Sequence, residues 1–128
     1  MEYRQLGRTG ILVSRLCFGL LTVSPLQLAL DPEAAARLLR KALGMGVNFI
    51  DTAVLYDTDD LLREFLRGLR REDVVIASKS YDFEYDAMEK TVVGVLSSLD
   101  TAYLDLFLLH EQESRLTLRG HAPALDRL

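Results

Sequence analysis

An aspartate, a lysine and a histidine each close a short apolar run, and a tyrosine follows the aspartate. They are Asp51, Lys79, His110 and Tyr56. The runs are Val47-Asn48-Phe49-Ile50-Asp51, Val74-Val75-Ile76-Ala77-Ser78-Lys79 and Leu104-Asp105-Leu106-Phe107-Leu108-Leu109-His110. Ionisable groups at the carboxyl ends of successive buried parallel strands occupy the place where an α/β barrel does its chemistry. A lysine there is costly unless paired, and Asp51 on the neighbouring strand is the available partner. A lysine beside a phenol favours the phenolate and lowers the tyrosine pKa from its reference of about 10. Such a tyrosine can donate or accept a proton near neutral pH. His110 can donate a hydrogen bond to a substrate oxygen. The set suits polarisation of a carbonyl. Electrons must then come from a cofactor, because no side chain in the set supplies them.

Each residue also has a structural reading. Asp51 followed by Thr52 could cap a loop turn, Tyr56 could be a surface aromatic, Lys79 an exposed strand end and His110 a satisfied core histidine. The functional reading rests on the three strand ends being polar together. His121 and the loop Glu111-Gln112-Glu113 read as solvated surface.

The elements needed to hold such a set follow from the pattern. Two short strands, Tyr3–Leu6 and Leu12–Ser14, flank Gly7-Arg8-Thr9-Gly10, whose glycines suit a hairpin turn. A third short strand is Leu16–Gly19. Gly7 and Gly10 precede a strand rather than a helix, so they make no dinucleotide fingerprint. Asp31 then fits an N-cap and Pro32 the first helical position. Ala34, Ala35, Leu38, Leu39, Ala42 and Leu43 form one helical stripe, ended by Gly44 and Gly46. Two further stripes are Leu61, Leu62, Phe65, Leu66, Leu69 and Met88, Val92, Val95, Leu96, Leu99. A last helical segment spans Ala122–Leu128.

Alternating strands and helices at this spacing predict a parallel sheet with right-handed crossovers. Near-continuous apolar strands predict cover on both faces. Side chains alternate along a strand. Asp51 therefore shares a face with Phe49 and Val47, Lys79 with Ala77 and Val75, and His110 with Leu108, Leu106 and Leu104. The expected fold is α/β: a TIM-type (β/α)8 barrel with only its first four βα units present, preceded by an amino-terminal β-hairpin. Residues 1–128 read as one partial domain ending within the helix after strand four, since a closed barrel typically takes about 250 residues.

Composition is that of a folded protein, 49% hydrophobic and 27% charged, with a net charge of -4. That balance argues against nucleic acid as a partner. Arg70-Arg71 and Arg37/Arg40-Lys41 read as solvated surface. Cys17 is the only cysteine, which excludes an internal disulfide and a Cys-x-x-Cys metal site. Its apolar neighbours predict a buried thiol. No signal-peptide pattern or membrane-length apolar run is present, so the expectation is a cytoplasmic protein without a membrane partner.

These residues resemble the aldo-keto reductase family. Glu2-Tyr3-Arg4-Gln5-Leu6-Gly7-Arg8-Thr9-Gly10 looks like the hairpin that plugs the bottom of that family's barrel, and Val13-Ser14-Arg15-Leu16-Cys17-Phe18-Gly19 like its first strand. Gly46-Val47-Asn48-Phe49-Ile50-Asp51-Thr52-Ala53-Val54-Leu55-Tyr56 matches the strand-two signature, and the runs ending in Lys79 and His110 match the strands bearing two more catalytic residues. The resemblance implies an NADPH-dependent carbonyl reductase acting on a small aldehyde or ketone. Tyr56 matches the general acid, Lys79 the residue that lowers its pKa, Asp51 that lysine's partner and His110 the residue that orients the carbonyl. Gly19 and Asp51 match positions near the nicotinamide ribose. Three departures stand out. Leu20 replaces a common threonine. Asp57-Thr58-Asp59-Asp60 replaces a glycine and Ser-Glu helix start, adding negative charge near Tyr56. The family's main cofactor contacts lie on later strands, outside this sequence. The alternative is an inactive half-barrel or interaction module that keeps the tetrad. Two strand edges would lack neighbours, and Val47, Phe49, Val75 and Leu106 would lack an opposite wall, so self-association is expected.

Overall fold

The computed structural model describes residues 1–111. Strands β1 (Tyr3–Gln5) and β2 (Leu12–Ser14) form the expected antiparallel hairpin. Gly7 and Gly10 adopt φ of 55° and 80° in its turn, a region glycine enters without steric cost. Side chains fasten the hairpin to residues 46–48, the Tyr3 hydroxyl donating to the Gly46 carbonyl at 2.8 Å and the Asn48 N–H to the Ser14 hydroxyl at 3.1 Å. The Ser14 N–H donates to Asn48 Oδ1 at 2.7 Å, and Asn48 Nδ2 donates to the Leu12 carbonyl at 3.0 Å. Asn48 directly precedes a sheet strand, so the hairpin lies at the amino-terminal end of the sheet, away from Asp51 and Lys79.

Four parallel strands follow in the order β3 (Cys17–Gly19), β4 (Phe49–Asp51), β5 (Val75–Ser80), β6 (Leu106–Leu109). Helices α1 (Pro32–Gly44), α2 (Asp59–Leu66) and α3 (Tyr85–Leu99) make the crossovers. The cap of α1 is as expected, with the Asp31 side chain accepting from the Ala34 N–H at 2.9 Å and Pro32 opening the helix.

Register sorts the side chains onto two faces. Phe18, Ile50 and Ile76 stand abreast, as do Gly19, Asp51 and Ala77. The first row faces the helices, and Ile50 and Ile76 join Leu39, Leu62, Phe65 and Leu99 in a core where each is at most 1% exposed. The second row belongs to the inward face. Lys79 stands there opposite Leu108, and Ala77 opposite Leu106.

Several expectations need correction. Both faces are covered only along β5, where Val75–Ser78 are all buried although Val75 was expected to lack cover, and β3 and β6 are open on the inward face. On the inward face Leu108 is 46% exposed. Cys17 is exposed rather than buried, because its position next to Phe49 in the register puts it on that open face. Leu38 is exposed instead of lying in the core. It borders an apolar hollow beside β3 with Cys17, Leu28 and Leu30.

The strands are also shorter than the apolar runs. The Val47 N–H is taken by the Ala42 carbonyl at the end of α1, so β4 begins at Phe49. Before β6, the Asp105 carboxylate, rather than a backbone carbonyl, accepts the Ile76 N–H at 2.8 Å. Helix α2 stops at Leu66, and Gly68 follows at φ 78°. Leu69 still packs against the core from beyond the helix.

Two arginines expected on the solvated surface are structural. Arg40 reaches from α1 to the carbonyls at the end of α2, the nearest being Glu64 at 2.5 Å. Arg71 donates to Asp105 at 2.6 Å, to the Val74 carbonyl at 2.6 Å and to the Tyr103 carbonyl at 3.1 Å, and lies over the Tyr103 ring. Arg71 thereby clamps the start of β6 to the start of β5. The segment Ala122–Leu128, His121 and the pair Gln112-Glu113 lie outside the described residues. Among the described residues no helix is long and apolar enough to cross a membrane.

Candidate active site

The carboxyl ends of β4, β5 and β6 deliver Asp51, Lys79 and His110 to one rim. The Lys79 ammonium donates to Asp51 Oδ2 at 2.8 Å and to the Thr52 carbonyl at 2.7 Å. Its side chain is only 15% exposed, so these acceptors replace most of its water. The same nitrogen lies 4.9 Å from the centre of the Tyr56 ring, within cation–π range. Tyr56 sits in a single 3-10 turn, Val54–Tyr56, rather than in an open loop. Its ring meets the His110 imidazole edge-on at 5.9 Å between centroids. All four sequence-predicted residues therefore converge.

The chain must turn sharply after Tyr56. Asp57 makes the turn in the left-handed region, at φ 51° and ψ 52°. A non-glycine residue pays roughly 1 kcal/mol there, although aspartate tolerates it better than most. This accounts for the glycine that the resembling family favours at the position. The added acids do not crowd the phenol as a group. Asp60 pairs with Arg63 at 2.6 Å, and Asp59 turns to Ser98 on α3. Burial raises the Asp59 pKa, helped by the Asp57 and Asp60 charges and opposed by the Ser98 bond and Arg63.

Sequence reasoning missed Tyr81. It stacks on the His110 ring at 4.3 Å with 21° between the planes, and its hydroxyl donates to Glu111 at 2.6 Å. The period-two alternation that turns Lys79 inward applies equally to Tyr81, so the signal was available. Thr52 and Thr58 were also missed. They are buried and share a 2.7 Å hydrogen bond. Nothing in their spacing announces it.

His110 is 6% exposed, and its N–H joins β5 through the Ser80 carbonyl at 2.9 Å. Its pKa is lowered from 6.5, first by burial and then by the Lys79 charge, with Glu111 and Asp51 opposing. The neutral ring is therefore the folded form at neutral pH. As pH falls below 6.5 the unfolded chain takes up its proton first, and the stability tied to neutral His110 is lost once pH passes the folded value. The thermal midpoint should fall more steeply between pH 7 and pH 5 in the parent than in His110→Gln. Equal slopes would reject this protonation scheme.

Gly19 lies beside Asp51 in the register, and a Cβ built on it would meet nothing within 4 Å. The inward face is thus open above β3, with the half-exposed Asp51 carboxylate next to it. The Cys17 thiol on the same face is pushed up to about 11, first by partial burial and then by the Asp51 charge, against Lys79. It is protonated at neutral pH and is no nucleophile. Among the described residues no cluster of His, Cys, Asp and Glu is arranged to hold a metal ion.

Parallel strands in sequential order, helices on one face and ionisable groups at the carboxyl ends define part of a (β/α)8 barrel. The model of the Aldo/keto reductase family matches residues 15–128, and the chain belongs to that family. It is 31% identical over 138 residues to the uncharacterized oxidoreductase YrpG of Bacillus subtilis, covering 90% of this chain and 41% of that protein. It is also 31% identical to a probable voltage-gated potassium channel subunit beta of Oryza sativa, over 98% of this chain and 42% of that one. A putative aldo-keto reductase of Pseudomonas aeruginosa superposes with a TM-score of 0.87 at 33% identity, over 98% of this chain and 54% of the other. The chain spans less than half the length of these two curated relatives.

Proposed function

We propose that residues 1–128 form the amino-terminal part of a cytoplasmic NADPH-dependent reductase of aldehydes or ketones. The supporting observation is the Lys79 ammonium, held by Asp51 and lying over the Tyr56 ring, with His110 alongside. The Tyr56 hydroxyl gives its proton to the carbonyl oxygen. The Lys79 ammonium stabilises the negative charge left on the phenol, and Asp51 holds that ammonium in place. Neutral His110 donates an N–H to the same carbonyl oxygen and fixes its direction. Gly19 and Asp51 would border the nicotinamide ribose, and NADPH, when bound, would supply the hydride for the carbonyl carbon. The product is the alcohol.

Because the chain is about half the length of its relatives, the isolated chain should bind cofactor poorly. A fluorescence titration with micromolar NADPH should show no saturable binding. A barrel completed by fusion to the carboxyl-terminal half of the Pseudomonas aeruginosa relative should bind NADPH and oxidise it in the presence of a small aldehyde. Binding without turnover would favour the second reading, an interaction module. That reading draws on the similarity to a protein described as a channel subunit.

The isolated chain should also self-associate. Among the described residues β3 and β6 each have a strand neighbour on one side only, the inward face exposes Leu108, and an apolar hollow lies at the β3 edge beside Cys17. Two copies about a two-fold axis would set β6 of each beside β3 of the other. Light scattering over a concentration series should show a species heavier than 14.4 kDa, and a single 14.4 kDa species at high concentration would refute this.

A further inference from the structure

We propose that Thr52 and Thr58 are positioning residues that hold Tyr56 and Lys79 in one geometry, a role that rests on the reductase reading only for its catalytic consequence. Both side chains are 2% exposed, and their hydroxyl oxygens lie 2.7 Å apart. They stand at the two ends of the segment that carries Tyr56. The bond therefore closes a loop of seven residues, with the phenol presented from its middle.

The same loop is tied down on the Lys79 side. The Thr52 N–H donates to the Ala77 carbonyl at 2.8 Å, which extends β4 against β5 by one residue. The Thr52 carbonyl accepts the Lys79 ammonium at 2.7 Å. Thr52 thus meets Lys79 through its backbone and the far end of the tyrosine loop through its side chain. A change in either contact alters how the ammonium sits over the ring.

Thr58 adds an independent sign. It occupies the N-cap position of α2, where a threonine hydroxyl normally accepts a backbone N–H of the first turn. Here it makes no such bond. The hydroxyl is turned inward to Thr52, and the helix forgoes its cap. A threonine that stands at a cap position without capping is explained by the contact it makes instead. Burial makes that contact specific: removing one hydroxyl leaves the other buried without a partner, whereas removing both leaves none.

The test reads geometry, not turnover. The chain has three lysines, Lys41, Lys79 and Lys90, so selective 13C labelling of lysine Cε gives three signals. The Tyr56 ring should shift the Lys79 Cε protons by its ring current, and Tyr56→Leu identifies that shift by abolishing it. Thr58→Val should lose most of the shift while Thr58→Ser retains it, with the β5 amide signals unchanged. If Thr58→Val does not fold, Thr52→Val/Thr58→Val is measured instead, since it leaves no hydroxyl stranded. Full retention of the shift in the folded single or double valine variant would overturn the proposal. In the completed barrel, the variant that has lost the shift should show lowered kcat with unchanged NADPH affinity. Lost shift with unchanged kcat would reject the catalytic role of Tyr56 and leave the positioning role standing.

Discussion

Replacing Tyr56 by Phe in a completed barrel should lower carbonyl turnover by about 100- to 10,000-fold, the usual contribution of a positioned general acid. The phenylalanine keeps the ring beneath Lys79 and against His110, so the local packing survives and only the proton is removed. NADPH affinity should change little, because Gly19 and Asp51, the residues proposed to lie near the ribose, are untouched. The loss should fall equally on kcat and kcat/KM, as for an interaction made only in the transition state. Lys79→Met should also lose activity, and the double variant should be little worse than either single one, as expected of a lysine proposed to act through the phenol. Activity of Tyr56→Phe within tenfold of the parent would remove Tyr56 from the mechanism.

Asp51, Lys79 and His110 were legible because strand periodicity is strict. An apolar run ending in one polar residue fixes which face that residue takes, and the register brings Gly19, Asp51 and Ala77 into one row. The hairpin and the α1 cap were legible for a similar reason: Gly7, Gly10, Asp31 and Pro32 each answer a local backbone demand. What failed depended on contacts distant in sequence. Cys17 looked buried because its neighbours are apolar, but its burial depends on a wall that residues 1–111 do not build. Arg71 looked solvated because it follows another arginine. Its partner lies 34 residues away, just before β6. Thr52 and Thr58 are only six positions apart, yet their bond diverts Thr58 from the capping role its position suggests.

Asp105→Ala is expected to destabilise the chain by about 3–5 kcal/mol, the cost of stranding one member of a buried ion pair. Arg71 and Asp105 have side chains only 16% and 15% exposed. Asp105 Oδ2 serves two donors, the Arg71 guanidinium and the Ile76 N–H. Alanine would leave both without that acceptor. Asp105→Asn retains an oxygen for Ile76 and should cost clearly less, so the two variants separate the charge from the backbone bond. Against a typical domain stability of about 5–15 kcal/mol, the alanine loss is large. Urea unfolding would measure it, and a loss below about 1 kcal/mol would show that the clamp carries little energy. The consequence reaches the candidate site through register. His110 lies five residues beyond Asp105, and a slip of one residue along β5 would turn it from the inward face to the helix side. The clamp at one end of β6 therefore supports the same register that the strand ladder and the His110 N–H on the Ser80 carbonyl hold at the other, where the imidazole meets Tyr56.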